Sequence, residues 1–298
     1  MQIDHSAQSS GDSRTERNED VRRRVHAMWS AVAAAWDEHA DYVDDRSAGL
    51  TARLIDLTAP APGEAVLELA CGVGGPGLEV AERVGPAGRV VLSDVSSEMT
   101  SFAIARAAAR GLSNVSGHPL DLEAIDESDA SYDVVFCREG LMFAVDPGQA
   151  LREVNRVLKP GGRVALSVWG ERARNPWLGL VFDAASEVLG RPVPPDGIPG
   201  PFALAESGRL AAVFAETNLV DVKLEEIVVD SGAPSFEAFW DRTRALAGPL
   251  TKILSALPPA GVEAVKRKVQ HSLSPYEHSG GLSIPGIAII AAARKLAG

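Results

Sequence analysis

The chain has 298 residues, 46% of them hydrophobic and 23% charged, a balance that predicts a folded core of one large domain or one domain with a sizeable insertion. Its 40 acidic residues against 29 basic ones give a formal net charge of -11, which disfavours phosphate backbones and anionic membrane surfaces as partners. Two cysteines, Cys71 and Cys137, are too few for a disulfide framework and lack metal-ligand spacing, so no metal is expected and a cytoplasmic location fits.

Residues 1–20 are polar, contain no apolar run and read as a disordered tail rather than a signal peptide. The longest apolar run, Ile287 to Ala293, is too short to span a bilayer. Residues 21–58 have a helical pattern with Trp29, Val32, Trp36 and Tyr42 on it, and are expected to form an N-terminal lid. The Pro60–Gly63 stretch ends that segment.

Over residues 59–170 short apolar runs alternate with helical patterns. Strands are predicted at Ala65–Leu69, Arg89–Ser93, Val115–Pro119, Tyr132–Cys137 and Arg163–Trp169, with helices at Leu78–Val84, Ser97–Arg110 and Pro147–Leu158. This alternation predicts a parallel sheet with helices on both faces and right-handed crossovers. Residues 171–219 form a proline-rich but apolar insertion and a helix from Ser207 to Glu216. Residues 220–298 complete the sheet: a strand at Val220–Val229, helices within Phe236–Gln270 and a closing strand at Ser283–Ala293.

Gly72, Gly74 and Gly77 make a G-x-G-x-x-G between strand and helix, where glycines let the backbone approach a ligand. The pattern alone fits any nucleoside or dinucleotide fold. Asp94 ends the next strand, where a carboxylate can accept both hydroxyls of a ribose. Glu68, just before the loop, suits a cationic amino-acid end and is badly placed for a pyrophosphate.

Taken with their neighbours, these residues resemble class I S-adenosylmethionine-dependent methyltransferases. Val66–Gly74 is similar to their first motif, Asp94–Met99 to the second, Tyr132–Arg138 to the fourth-strand motif and Arg156–Arg163 to the helix–turn–strand signature. The ubiquinone/menaquinone-biosynthesis-like group of small-molecule enzymes is the nearest in kind. The resemblance implies an α/β, Rossmann-like, doubly wound seven-stranded sheet whose last strand is antiparallel. It further implies a helical N-terminal lid and an insertion after strand 5. S-adenosylmethionine is the implied cofactor, with S-adenosylhomocysteine as product. Ala70, Gly72 and Gly74 would hold the methionine part, with Glu68 and Gly77 at the two ends of the loop. Asp94 would bind the ribose, Val95 and Met99 would flank the adenine, and Asp121 and Leu122 would meet its amino group. Arg138 would lie beside the methionyl end.

Methyl transfer from a sulfonium needs alignment and water exclusion more than acid–base chemistry. His118 and His278 are the candidate catalytic bases, with His271 and Glu139 behind them. A satisfied strand-end histidine and surface histidines are the plainer readings. Trp169, Trp177, Phe202, Phe236, Phe239 and Trp240 suggest an apolar acceptor pocket, with core packing as the competing account. The expected partner is a small-molecule acceptor, not nucleic acid or membrane, and a homodimer is left open. Two alternatives stand: a nicotinamide-dependent oxidoreductase, against which no Tyr-x-x-x-Lys pair is present, and a non-catalytic S-adenosylmethionine-binding protein.

Overall fold

The computed structural model of the protein describes residues 6–195, 198–206 and 208–297, with side chains from residue 16 onward. Two helices come first, α1 (Ser6–Glu38) and α2 (Ala40–Thr58). The expected disordered tail therefore holds, within the described residues, the first turns of α1. Where the tail ends, Asp20 pairs one turn on with Arg23 and Arg24, and Arg22 pairs with Glu123. Residues 1–5 of that tail lie outside the described residues.

The alternating core follows as β1 (Ala65–Leu69), α3 (Pro76–Val84), β2 (Arg89–Leu92), α4 (Ser97–Ala109), β3 (Val115–Gly117), β4 (Tyr132–Arg138), α5 (Pro147–Val157) and β5 (Leu158–Trp169). After β5 come α6 (Pro176–Leu189), α7 (Arg209–Ala215), β6 (Leu219–Asp230), α8 (Phe236–Leu246), α9 (Gly248–Ser255) and α10 (Pro259–Leu273). A small hairpin of β7 (Glu277–His278) and β8 (Gly281–Leu282) precedes β9 (Pro285–Lys295). Ser207, the expected start of α7, lies outside the described residues. The β7–β8 hairpin was not predicted, because two-residue strands carry no readable period.

Seven strands form one sheet in the order β3-β2-β1-β4-β5-β9-β6. β1 pairs in parallel with β2 and β4, while β9 runs antiparallel between β5 and β6. The order turns back on itself between β1 and β4, and such a switch point leaves a crevice beyond the carboxyl ends of the strands. β1 is buried along its whole length, as a central parallel strand with helices on both faces should be.

Polar braces fix the far end of the sheet. Arg163 of β5 holds Glu64 through two hydrogen bonds of 2.7 and 2.8 Å and donates to the Thr58 carbonyl at the end of α2. A second core joins α6, α8, α9 and α10 around Phe182, Phe239, Trp240 and Leu273, so residues after β5 build a helical layer of their own. Phe202, Phe236 and Trp240 pack there, which is the core-packing account of those aromatics.

Candidate functional site

The crevice at the switch point is a deep cavity roofed by α1 and α8 and floored by the loops after β1, β2, β3 and β4. Ala70 and Gly72 both adopt positive φ (51° and 55°), which turns the chain sharply at the end of β1 and brings its backbone to the cavity wall. Trp36 of α1 packs over Gly72: a Cβ there would stand 3.5 Å from its ring.

Asp94 lies at the cavity and is 7% exposed. One of its oxygens accepts from the Gly72 N–H and the other from the Ser96 N–H, both at 3.0 Å. Each carboxylate oxygen can accept twice, so one acceptor position on each remains. Burial raises its pKa, against the pull of those N–H donors.

Glu68 and Gly77 do not line the cavity. Glu68 is buried beneath the loop and accepts the Gly77 N–H at 2.7 Å, satisfying an otherwise orphaned donor in the first turn of α3. Burial pushes its carboxyl up to about 7, with the nearby Arg138 opposing. This corrects the expectation that Glu68 meets the ligand directly: its position at the end of a fully buried strand turns the side chain under the loop. Gly74 is also off the wall, its φ of 106° serving the turn.

Val95, Met99, Asp121, Leu122 and Arg138 all line the cavity. Burial raises the Asp121 pKa, yet His26, the Glu123 N–H and Arg22 bring it below the ordinary value. Arg138 is held by Thr51, to which it donates at 2.8 Å, and by Asp44 at 4.0 Å.

Neither catalytic candidate is there. His118 faces Glu127 at 3.0 Å with a 44% exposed side chain, and exposed His278 accepts the Gly280 N–H in the β7–β8 turn. His118 stands directly after β3 and His278 ends the exposed strand β7, so both face outward, the plainer reading made for them.

Sequence reasoning missed His26, on α1, whose Nε2 stands 3.6 Å from Asp121. Helical periodicity from Arg22 and His26 through Trp29 to Trp36 was the signal available. It also missed Asn175. This fully buried amide accepts from the Ile287 N–H at 3.0 Å and from Trp177 Nε1 at 3.2 Å, and donates to the Gly170 and Ile287 carbonyls. It locks the start of the insertion to β9 and aims Trp177 at the cavity, edge-on to Trp169 with centroids 4.9 Å apart.

Glu139, directly after β4, has a positive φ of 57° and lines the cavity. Its Oε2 meets Arg46 of α2 at 2.8 Å, while Oε1 is buried and has no hydrogen-bond partner. Arg46 lies over both tryptophans, 5.0 Å from the Trp169 ring centroid and 5.5 Å from that of Trp177. Phe239 joins this apolar wall. No cluster of histidine, cysteine or carboxylate side chains suited to a metal occurs among the described residues.

The arrangement is thus a polar half around Asp94 and Asp121, continuous with an aromatic half around Trp169 and Trp177. Residues 60–178 match a family model described as a methyltransferase domain. Over that stretch the chain is similar to methyltransferase domains. The chain is 34% identical over 165 residues to the ubiquinone/menaquinone biosynthesis C-methyltransferase of Ectopseudomonas mendocina, covering 55% of this chain and 64% of the relative. The chain spans under two thirds of the length of this and the next relatives it matches. In fold, the domain and its helical layer are similar to the YcgJ protein of Bacillus subtilis (TM-score 0.55, 18% identity, 83% of this chain and 98% of that one). They are also similar to a phosphoethanolamine N-methyltransferase of Haemonchus contortus solved with S-adenosylhomocysteine (TM-score 0.51, 16% identity, 83% of this chain and 52% of that one).

Proposed function

We propose that the protein transfers a methyl group from S-adenosylmethionine to an oxygen, nitrogen or carbon of a small apolar or aromatic metabolite. The observation that carries this reading is Asp94. A buried carboxylate with one acceptor position left on each oxygen, at the end of the second strand, fits a vicinal diol. The rest of the polar half fits the same cofactor: Val95 and Met99 are apolar walls for a flat base, and Asp121 offers an acceptor to its amino group.

The cofactor would supply an electrophilic methyl group on a positively charged sulfur. The protein's own residues do three things. Asp94, Ala70 and Gly72 fix one reactant, and Trp169, Trp177 and Phe239 offer an apolar bed to the other, so that the two meet in line. The α1 helix covers both, fastened below by Arg22 to Glu123 at 2.5 Å and by Ser30 to Glu98 at 3.1 Å, and to α8 beside it by Trp36 to the Leu246 carbonyl at 3.0 Å, and so keeps water out. Glu139 Oε1 is the one buried acceptor on the wall without a partner among the described residues, and it is placed to take a hydrogen bond from a protic acceptor.

Calorimetry with S-adenosylmethionine, S-adenosylhomocysteine and NAD tests the proposal. Binding of both adenosyl ligands and not of NAD is expected. Binding of NAD with neither adenosyl ligand would replace this reading by a nicotinamide enzyme.

A further inference from the structure

The arginines on the cavity wall are paired with one exception. Arg22 is matched by Glu123, Arg138 by Asp44 and Arg46 by Glu139. Arg242, on α8, lines the same cavity and has no carboxylate within ion-pair distance among the described residues. Its guanidinium carbon lies over the Tyr42 ring, 3.4 Å from the centroid, and it donates a hydrogen bond to the Gly232 carbonyl at 2.7 Å. Burial and the neighbouring Arg46 lower its pKa, Tyr42 opposing. Of these two neighbouring guanidiniums only Arg46 has a carboxylate partner, Glu139, and Arg242 is left without one among the described residues.

A guanidinium has five N–H donors in a planar fork; one bond to Gly232 leaves donors of Arg242 for a ligand, while the contact with Tyr42 holds the group in place. A single unpaired guanidinium offers one positive charge in a planar fork, which matches the one negative charge and two oxygens of a carboxylate. The polar half of the cavity already has Arg138 beside the loop after β1. Arg242 instead arrives on the helical layer that follows β5, one turn from Phe239 and on the side of Trp177.

We infer that Arg242 anchors an anionic group of the methyl acceptor, so that the acceptor is an aromatic or alicyclic carboxylic acid. The acid is held at Arg242, its apolar body lies against Trp169, Trp177 and Phe239, and a site elsewhere on that body receives the methyl group. This rests on the methyltransferase reading and narrows its substrate class.

The test uses the full chain saturated with S-adenosylhomocysteine and four probe acids, 4-hydroxybenzoate, salicylate, cinnamate and 3-phenylpropanoate, each beside its primary amide. Quenching of cavity tryptophans or calorimetry reads binding in the wild type, Arg242→Met and Arg242→Lys. At least one acid is expected to bind about tenfold tighter than its amide, a preference retained in part by Arg242→Lys and lost in Arg242→Met. S-adenosylhomocysteine should bind all three proteins within about twofold, which also reports that the variants are folded. The inference is overturned if no acid is preferred in the wild type, or if the preference survives in Arg242→Met. It is equally overturned if Arg242→Met weakens S-adenosylhomocysteine but not 5′-methylthioadenosine, which lacks the amino-acid end, since Arg242 would then hold the cofactor's carboxylate. Failure of the wild type to bind S-adenosylhomocysteine is a separate result and counts against the methyltransferase reading itself.

Discussion

Glu139 and Arg46 form an ion pair of 2.8 Å whose side chains are 10% and 8% exposed, and Glu139 makes it from a left-handed backbone. A glutamate at φ of 57° costs conformational energy that glycine would not, so the contacts around it must hold it there. Removing one partner leaves a buried charge uncompensated. Glu139→Gln should therefore lower stability by about 2–4 kcal/mol in urea denaturation. In a double-mutant cycle with Arg46→Met the two should couple by more than about 1 kcal/mol, and strictly additive effects would show that they are not one energetic unit.

Asp94→Asn keeps the shape and one acceptor oxygen but gives up the charge. The expected result is a loss of roughly 10–100-fold in S-adenosylhomocysteine affinity by calorimetry, from weakened charge-assisted hydrogen bonds. An unchanged dissociation constant would remove Asp94 from the ribose position.

The order and spacing of Gly72, Asp94 and Asp121 made the floor of this cavity legible in the sequence, because each lies within a few residues of a strand end. The five parallel strands were equally legible, since buried β strands are short apolar runs between turn signals. The element β5 begins at Leu158, five residues earlier than expected, because Leu158 pairs with Tyr132 across an irregularity that no periodicity reveals. Side-chain direction was the harder part. Glu68 turned under its loop, and His118 and His278 turned to the surface, whereas His26, Arg46 and Arg242 reach the cavity from helices far away in the chain. Such long-range convergence depends on how α1, α2 and α8 pack, and one sequence does not encode that locally.

Glu68 also makes a pH prediction. Its carboxyl titrates near 7 in the folded protein against 4.5 as the ordinary value. Between those pH values the folded protein holds a proton that the unfolded chain has released, so stability falls as pH rises through that window. Glu68→Gln should remove this dependence, still accepting the Gly77 N–H. Relative to wild type it should gain on the order of 1–3 kcal/mol at about pH 8 and little at about pH 4, read from thermal denaturation at both. An equal effect at both pH values would mean that Glu68 does not titrate in that window.

Gly140 presses against the loop after β1, and a Cβ there would collide with the Ala70 side chain and stand 2.9 Å from Cys137 Sγ. Gly140→Ala should push Ala70 toward the cavity, costing about 1–3 kcal/mol of stability and weakening S-adenosylhomocysteine together with it. Loss of stability with unchanged ligand affinity would show that Ala70 does not touch the cofactor.

A structure of the protein with S-adenosylhomocysteine bound tests the central claim most directly. The account predicts the ribose hydroxyls within hydrogen-bonding distance of Asp94, the adenine between Val95 and Met99 beside Asp121, and the sulfur facing the Trp169–Trp177 wall. A ligand bound with Asp94 still free, or seated outside this cavity, would contradict it.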